Sequence, residues 1–439
     1  MTDPPGTSAR CSPPASARAL WVVSGLALAA CGGRAGSRNS ADASGDVASS
    51  SDAQDDGDSG HEASVCRSAG FGAPTSYSTA YPPSSLFVYS PTTGGVPNVI
   101  AIEPGGAPKA AFELFANGGN GGFALARFQG AIESFSVAAD FSGDGLDDIA
   151  GVSSTGDGGV LQIDKNTGAG TFATQLATYP ISQLRGNAAA GDFDKNGHPD
   201  IAIAGATIYP RPDGLTVAAR GLDVFLNDGH GSFGSPVIYP DDQGYVLDQV
   251  AAADFDGDGS LDLALFPEGL LLNSGTGTFG TELPLPALPG DATGPFQQYW
   301  AVGDFNGDGK SDLVASVVPD EIAVFLAVGG GSFAAPATYV TRSTPSVVAV
   351  GDFNGDSHPD VMVLLDGQTG SSSLELRLNQ GDGTFGAATT LALGPYADSI
   401  SVADFNGDGV TDVAVTNDGF FASDAGARSS FTVVLSQCR

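Results

Sequence analysis

The apolar positions of this chain fall in short runs and not in helical stripes. Between residues 346 and 393 they read SVVAVGDF (346–353), DVMVLL (360–365), LELRLN (374–379) and FGAATTLAL (385–393). The runs are rich in β-branched residues and bounded by Gly, Pro, Asn and Asp, the signature of strands joined by tight turns. No stretch of useful length repeats apolar residues at the helical spacing. A polar loop separates the first run from the second, and a glycine hairpin separates the third from the fourth. The pattern predicts a unit of four antiparallel strands.

That unit repeats. The polar loop reads DFNGDSHPD at Asp352–Asp360, and copies begin at Asp140 (DFSGDGLDD), Asp192 (DFDKNGHPD), Asp254 (DFDGDGSLD), Asp304 (DFNGDGKSD) and Asp404 (DFNGDGVTD). Their starts are separated by 52, 62, 50, 48 and 52 residues. Gly-x-Gly-x-Phe turns travel with them, ending at Phe172, Phe233, Phe279, Phe333 and Phe385, and an earlier one ends at Phe123. About fifty residues ahead of Asp140, Ser90–Asn98 (SPTTGGVPN) aligns with Asp192–Asp200. Gly95 and Pro97 survive there, while the carboxylates have become Ser90, Thr92, Gly94 and Asn98. We read it as a seventh repeat without a metal. Units of this period bury their faces only by stacking on neighbours. Four strands in each of seven units describe an all-β, seven-bladed β-propeller.

The last unit reaches its third strand at Ser430–Gln437. Its fourth strand is expected from the start of the domain, where Ala69–Tyr77 (AGFGAPTSY) resembles FGSPVIY at Phe233–Tyr239. The N-terminal strand should therefore complete the last blade. Cys66 precedes that strand and Cys438 follows the third, so the two should meet where the hairpin is missing. A Cys66–Cys438 disulfide would contribute ~2–4 kcal/mol; two free thiols are the alternative.

The loops carry the candidate chemistry. Oxygen-bearing side chains stand at positions 1, 3, 5 and 9: Asp140, Ser142, Asp144 and Asp148; Asp192, Asp194, Asn196 and Asp200; Asp254, Asp256, Asp258 and Asp262. The other three loops offer Asp304, Asn306, Asp308 and Asp312; Asp352, Asn354, Asp356 and Asp360; Asp404, Asn406, Asp408 and Asp412. Position 7 would add a backbone carbonyl, so its side chain is free to vary: Leu146, His198, Ser260, Lys310, His358 and Val410. Such alternation wraps a hard cation like Ca²⁺, which takes six to eight oxygens at ~2.3–2.6 Å. About six structural calcium ions are expected. An EF-hand would need flanking helices and a Glu at position 12, whereas these flanks are strands. Metal-free Asx-turns are the other reading, but 19 carboxylates at ligand positions would then repel one another uncompensated.

Charge narrows the partners. The net charge is −33, with 17 basic residues against 50 acidic, so no basic patch exists to neutralise phosphates and nucleic acid is excluded. At the start, Arg10 and Arg18 precede an apolar run at 19–30 (ALWVVSGLALAA). It is too short to span a bilayer, which takes ~20 residues, and reads as a signal peptide over 1–30. The sequence Leu28-Ala29-Ala30-Cys31 resembles the lipobox of bacterial lipoproteins, which implies lipidation of Cys31; an ordinary secretory signal is the alternative. Residues 31–64 are Ser, Ala, Asp and Gly in the main and predict a disordered tether. The domain proper is 65–439.

The DFNGDGxxD loops and GxGxF turns resemble those of the FG-GAP/VCBS repeat family, whose members include the integrin α-like seven-bladed propellers. The resemblance covers Cys66 to Arg439. It implies that each Asp loop joins the first and second strands of a blade and binds Ca²⁺ through positions 1, 3, 5 and 9. The departures are Ser142 at position 3, Ser357 in place of the position-6 glycine, and the lost carboxylates of Ser90–Asn98. The family includes adhesion, sugar-binding and some enzyme members. With the lipobox-like Cys31 and its tether, the resemblance implies a calcium-stabilised, membrane-tethered surface binding module for an extracellular polysaccharide or protein. A carbohydrate-active enzyme such as a polysaccharide lyase is the alternative. The four histidines, His61, His198, His230 and His358, form no Ser–His–Asp or Cys–His set, so no catalytic activity is expected.

A four-strand meander puts Asp loops and hairpins on one face and the longer connections on the other. Those connections are 205–221 (with Tyr209, Arg211 and Arg220), 239–249 (with Asp241, Asp242 and Tyr245), 285–298, and 416–430 (with Phe420 and Phe421). Variable loops on a rigid scaffold are where ligands bind. The expected location is exported and lipid-anchored, at the bacterial outer membrane or cell surface, as a monomer.

Overall fold

A computed structural model describes residues 69–80, 83, 85–91, 95–103, 111–129, 134–154, 159–168, 171–181, 186–210, 216–241, 249–266, 269–289, 299–365, 371–395, 397–417 and 429–438. They form seven four-stranded antiparallel sheets. Blade six shows the plan: Pro345–Gly351, Asp360–Leu365, Ser371–Arg377 and Thr389–Pro395, each paired with the next. Blades one to five span 85–129, 134–181, 186–241, 249–284 and 300–340. The first strands touch in order around a ring, and Ala397–Ala403 of blade seven closes onto Ser85–Tyr89 of blade one. This is the seven-bladed β-propeller that the repeat predicts.

Closure is also as expected. Blade seven takes Ala397–Ala403, Asp412–Asn417 and Ser430–Val434 from one end of the domain and Thr75–Ser78 from the other. Ala69–Phe71 then pairs with Ser436–Cys438, Phe71 opposite Ser436 and Ala69 opposite Cys438. These two segments stand where Asn379 and Phe385 bridge in blade six, so the chain ends rebuild the missing hairpin. Cys66 lies outside the described residues, and the disulfide with it; so do the leader, Cys31 and the tether. Among the described residues no helix is long and apolar enough to cross a membrane.

The core is distributed over the blade interfaces. Each buried apolar cluster joins two neighbours: Val324 and Val348 with Val363 between blades five and six, Ala189 and Leu222 with Leu263 between three and four. A second strand such as Asp360–Leu365 is covered on both faces and buried at every position. That is why its sequence is a continuous apolar run where half-exposed strands alternate.

Two sequence expectations need correction. The fourth run does not start at Phe385: Phe385 makes only a single bridge with Asn379, and the strand begins at Thr389. The stretch 205–221 is not a free loop. Asp200–Pro210 and Thr216–Phe225 stay paired out to Pro210 opposite Thr216, because apolar and β-branched residues on both arms continue the ladder. Tyr209 and Arg220 therefore lie in strands, and Arg220 stands opposite Asp241. Arg211, Asp242, Tyr245, Phe420 and Phe421 lie outside the described residues.

Candidate metal centre

All six Asp loops join the first strand of a blade to the second, and their backbone is held by their own side chains. The position-1 carboxylate accepts the position-6 N–H in each, at 2.7 Å from Gly145, 2.9 Å from Gly197, 2.8 Å from Gly259, 2.9 Å from Gly309, 2.8 Å from Ser357 and 2.8 Å from Gly409. The position-7 N–H donates back to position 5, as in Ser260 to Asp258 at 2.7 Å and His358 to Asp356 at 2.9 Å. Ser357 keeps this geometry without glycine by adopting a φ of 68°. L-residues rarely visit that region, so the fifth loop carries strain at position 6 that a glycine there avoids.

The position-9 aspartates sit deepest. Asp148, Asp200, Asp262, Asp312, Asp360 and Asp412 are fully buried. One oxygen of each accepts a backbone N–H from the end of the third strand or just beyond it: Asn166, Asn227, Asn273, Ala327, Asn379 or Ser436, at 2.7–2.8 Å. The other accepts the position-2 N–H in five loops, as from Phe193 to Asp200 at 2.8 Å. Burial pushes Asp360 up to about 8, Asp200, Asp262, Asp312 and Asp412 to about 7, and Asp148 to about 6, against the pull of those donors. The first loop departs from the pattern. There Asp148 accepts from Ser142 N–H, and Phe141 N–H turns back to the Ala139 carbonyl. The short Ser142 hydroxyl leans toward Asp148 but is buried without a hydrogen bond of normal geometry.

These donors suit a hard cation. Carboxylate oxygens of Asp192, Asp194 and Asp200 lie within 4.8 Å of one another, and so do those of Asp254, Asp256 and Asp262. Each oxygen that accepts one N–H keeps a second lone pair. Blades five to seven bring Asn306, Asn354 and Asn406 to position 3, so their loops hold one carboxylate fewer than the four of blade four. In the seventh corner Asn98 repeats half of the position-9 role. Its Oδ1 accepts Asn117 N–H at 2.8 Å, while its Nδ2 donates to Tyr89 at 2.9 Å. Asp147 of blade two supplies the missing carboxylate, accepting Ser90 N–H at 2.8 Å.

The loops also fasten the ring, through residues that composition and spacing did not single out. In four blades the Asn that opens the NxGxGxF turn reaches the preceding blade, whereas Asn166 of blade two bonds to the Asp147 carbonyl of its own. Asn227 Nδ2 donates to the Phe141 carbonyl at 2.9 Å, Asn273 to Phe193 at 2.7 Å, Asn379 to Phe305 at 2.8 Å and Asn117 to Phe405 at 2.7 Å. Where blades five and seven have Ala327 and Ser436 instead, the position-8 N–H crosses over. Ser311 donates to the Asp254 carbonyl and Thr411 to that of Asp352, both at 2.8 Å. Pro199 and Pro359 have no N–H with which to do this, and their blades carry the Asn. The loop Phe packs edge-on against the next blade's hairpin Phe, with centroids 5.6 Å apart for Phe193–Phe279 and 5.3 Å for Phe305–Phe385. A Tyr from the outer strand completes the seam: the Tyr239 hydroxyl accepts Phe279 N–H at 3.0 Å. The hairpin glycine must be small there. A Cβ on Gly277, at φ 68°, would lie 2.7 Å from Leu226 of the preceding blade.

Asn273→Ala should accordingly cost ~2–4 kcal/mol, since it strands the Gly275 N–H and the Leu261 carbonyl at a buried seam and leaves the Phe193 carbonyl with only the Gly277 N–H. Thermal melting in saturating calcium checks this, and an unchanged midpoint would show that the seam is held by packing alone.

The FG-GAP-like repeat model matches residues 140–203, 304–363 and 352–415. These segments of the propeller thus carry FG-GAP-like repeats, and each matched segment contains Asp loops at first-to-second strand corners. No curated protein matches it. Among solved structures it is similar to a Tc holotoxin pore variant of Photorhabdus luminescens at 16% identity, covering 77% of this chain and 17% of that one, with a TM-score of 0.38. It is similar to the V. cholerae biofilm matrix protein Bap1 at 14% identity, covering 82% of this chain and 67% of that one, with a TM-score of 0.35. A TcdB2-TccC3 structure matches at 16% identity, covering 76% and 17%, with a TM-score of 0.32. The chain thus spans about a sixth of the length of the two toxin chains.

Proposed function

We propose that this protein is a calcium-stabilised binding module, carried on a lipid-anchored tether and recognising an extracellular polysaccharide or protein. One observation carries the reading: the Asp-loop face is committed to holding the ring together. Its carboxylates, hairpin Asn residues and Phe–Phe seams all bond within and between blades. A ligand is therefore sought on the opposite face, where the connections vary in length around a fixed scaffold. The ions would sit among positions 1, 3, 5 and 9 with the position-7 carbonyl, and would supply charge that the buried aspartates lack. The protein acts by binding and not by catalysis.

A glycan array probed with the full chain in calcium and in EDTA tests this. Saturable, calcium-dependent binding without product release supports it. Release of cleaved product from an acidic polysaccharide overturns it in favour of a lyase.

A further inference from the structure

The chain contains four lysines, and three of them, Lys165, Lys195 and Lys310, stand at the Asp loops, while no arginine falls within a loop. Lys310 occupies position 7 of the blade-five loop. Its Nζ lies 2.9 Å from Asp308 Oδ2. It thus occupies one of the carboxylates that its own loop would offer an ion. Its stem crosses to blade four, lying 3.1 Å from where a Cβ on Gly257 would be. Lys165, on the third strand of blade two, reaches its loop from the side, with Nζ 3.0 Å from Asp144 Oδ2. Lys195 behaves differently. At a φ of 58° it is carried out of its own loop onto the blade-four hairpin, where its stem lies 3.0 Å from a Cβ on Gly275. The blade-three triad of Asp192, Asp194 and Asp200 is left to converge within 4.8 Å.

We propose that Lys310 and Lys165 are tethered cations that compete with the divalent ion for their own loops, so that the corners of blades five and two are the last to fill. This rests on the reading that the loops hold calcium. Lysine suits the role because its ammonium is a compact point charge on a flexible stem. A full neutralising charge a few ångströms from the ion position must be expelled or tolerated on loading, and either weakens the site. In calcium-poor surroundings the same charge offsets carboxylate repulsion, so the two corners keep their shape when the ion is gone. The ring would then lose its ions unevenly, with blades two and five emptying first.

Calcium titration of the full chain by calorimetry, beside Lys310→Met and Lys165→Met, tests this. Methionine keeps an apolar stem and removes only the charge. Each variant is expected to move one site from the weak class to the tight class, raising its affinity about tenfold, the effect of one close charge. Melting supplies a second readout. In EDTA each variant should melt below wild type, and in saturating calcium at or above it; Lys310→Arg should restore the EDTA value. A merely structural lysine would lower both midpoints. Isotherms that superimpose on wild type for both variants overturn the proposal while leaving the calcium reading intact. Absence of any calcium binding overturns both.

Discussion

At pH 8, stripping calcium with EDTA should lower the melting temperature of the full chain by more than ~10 °C; at pH 5 the same treatment should lower it far less. The cause is the set of six buried position-9 aspartates. Their ordinary carboxyl value is ~3.9, and burial raises them to about 6 for Asp148, about 7 for Asp200, Asp262, Asp312 and Asp412, and about 8 for Asp360. Without an ion the folded state therefore binds more protons than the unfolded state across that window. Stability then falls as pH rises from ~4 through 8, and is retained below it. One pKa unit in one group is worth ~1.4 kcal/mol, and six groups titrate over the same range against a total of ~5–15 kcal/mol for an ordinary domain. A bound divalent cation favours the ionised carboxylates and removes the slope, so the melting temperature in calcium should be flat between pH 5 and 8. A chelated protein whose melting is equally flat would show that the loops stand as metal-free Asx-turns.

Much of the architecture was legible because every repeat carries its corners in sequence. The carboxylates at Asp352, Asp356 and Asp360 mark the turn between two strands, and the apolar run 360–365 marks a strand covered on both faces. Closure was legible for the same reason: a unit lacking its fourth strand at one end and an orphan strand at the other can pair only with each other. The blade-to-blade fastening was harder to read. Asn273 looks like an ordinary turn residue in NSGTGTF, since Asn favours such turns on local grounds alone, and nothing local shows that its amide spans to Phe193 of another blade. The substitution of that bond by Ser311 N–H needs the register of two sheets at once. The ribbon of 205–221 was hidden by Gly205 and Gly221, which read as strand ends but lie paired within one ladder. The binding partner is not written at this level, because the connections that would read it follow no repeat.

Asp360→Asn should destabilise the protein by ~2–4 kcal/mol even in EDTA at pH 5, where neither an ion nor a carboxylate charge is at stake. Both oxygens of Asp360 accept a backbone N–H, from Asn379 at 2.8 Å and Phe353 at 3.0 Å. A protonated carboxyl can still accept on both oxygens, whereas an amide turns one acceptor into a donor and sets it against the Phe353 N–H. A stranded buried donor costs ~1–3 kcal/mol, and donor-to-donor contact adds to it. Blade one shows how the same exchange is accommodated. There Asn98 holds position 9, and position 2 is Pro91, which has no N–H to strand. The Asn98 amide is instead turned to Tyr89, at 2.9 Å. The two changes therefore belong together: losing the carboxylate is tolerated only where the second donor is also lost. Melting of Asp360→Asn and wild type in EDTA at pH 5 checks this. Equal midpoints would mean that the Phe353 N–H finds another acceptor, and that the metal alone accounts for aspartate at this position.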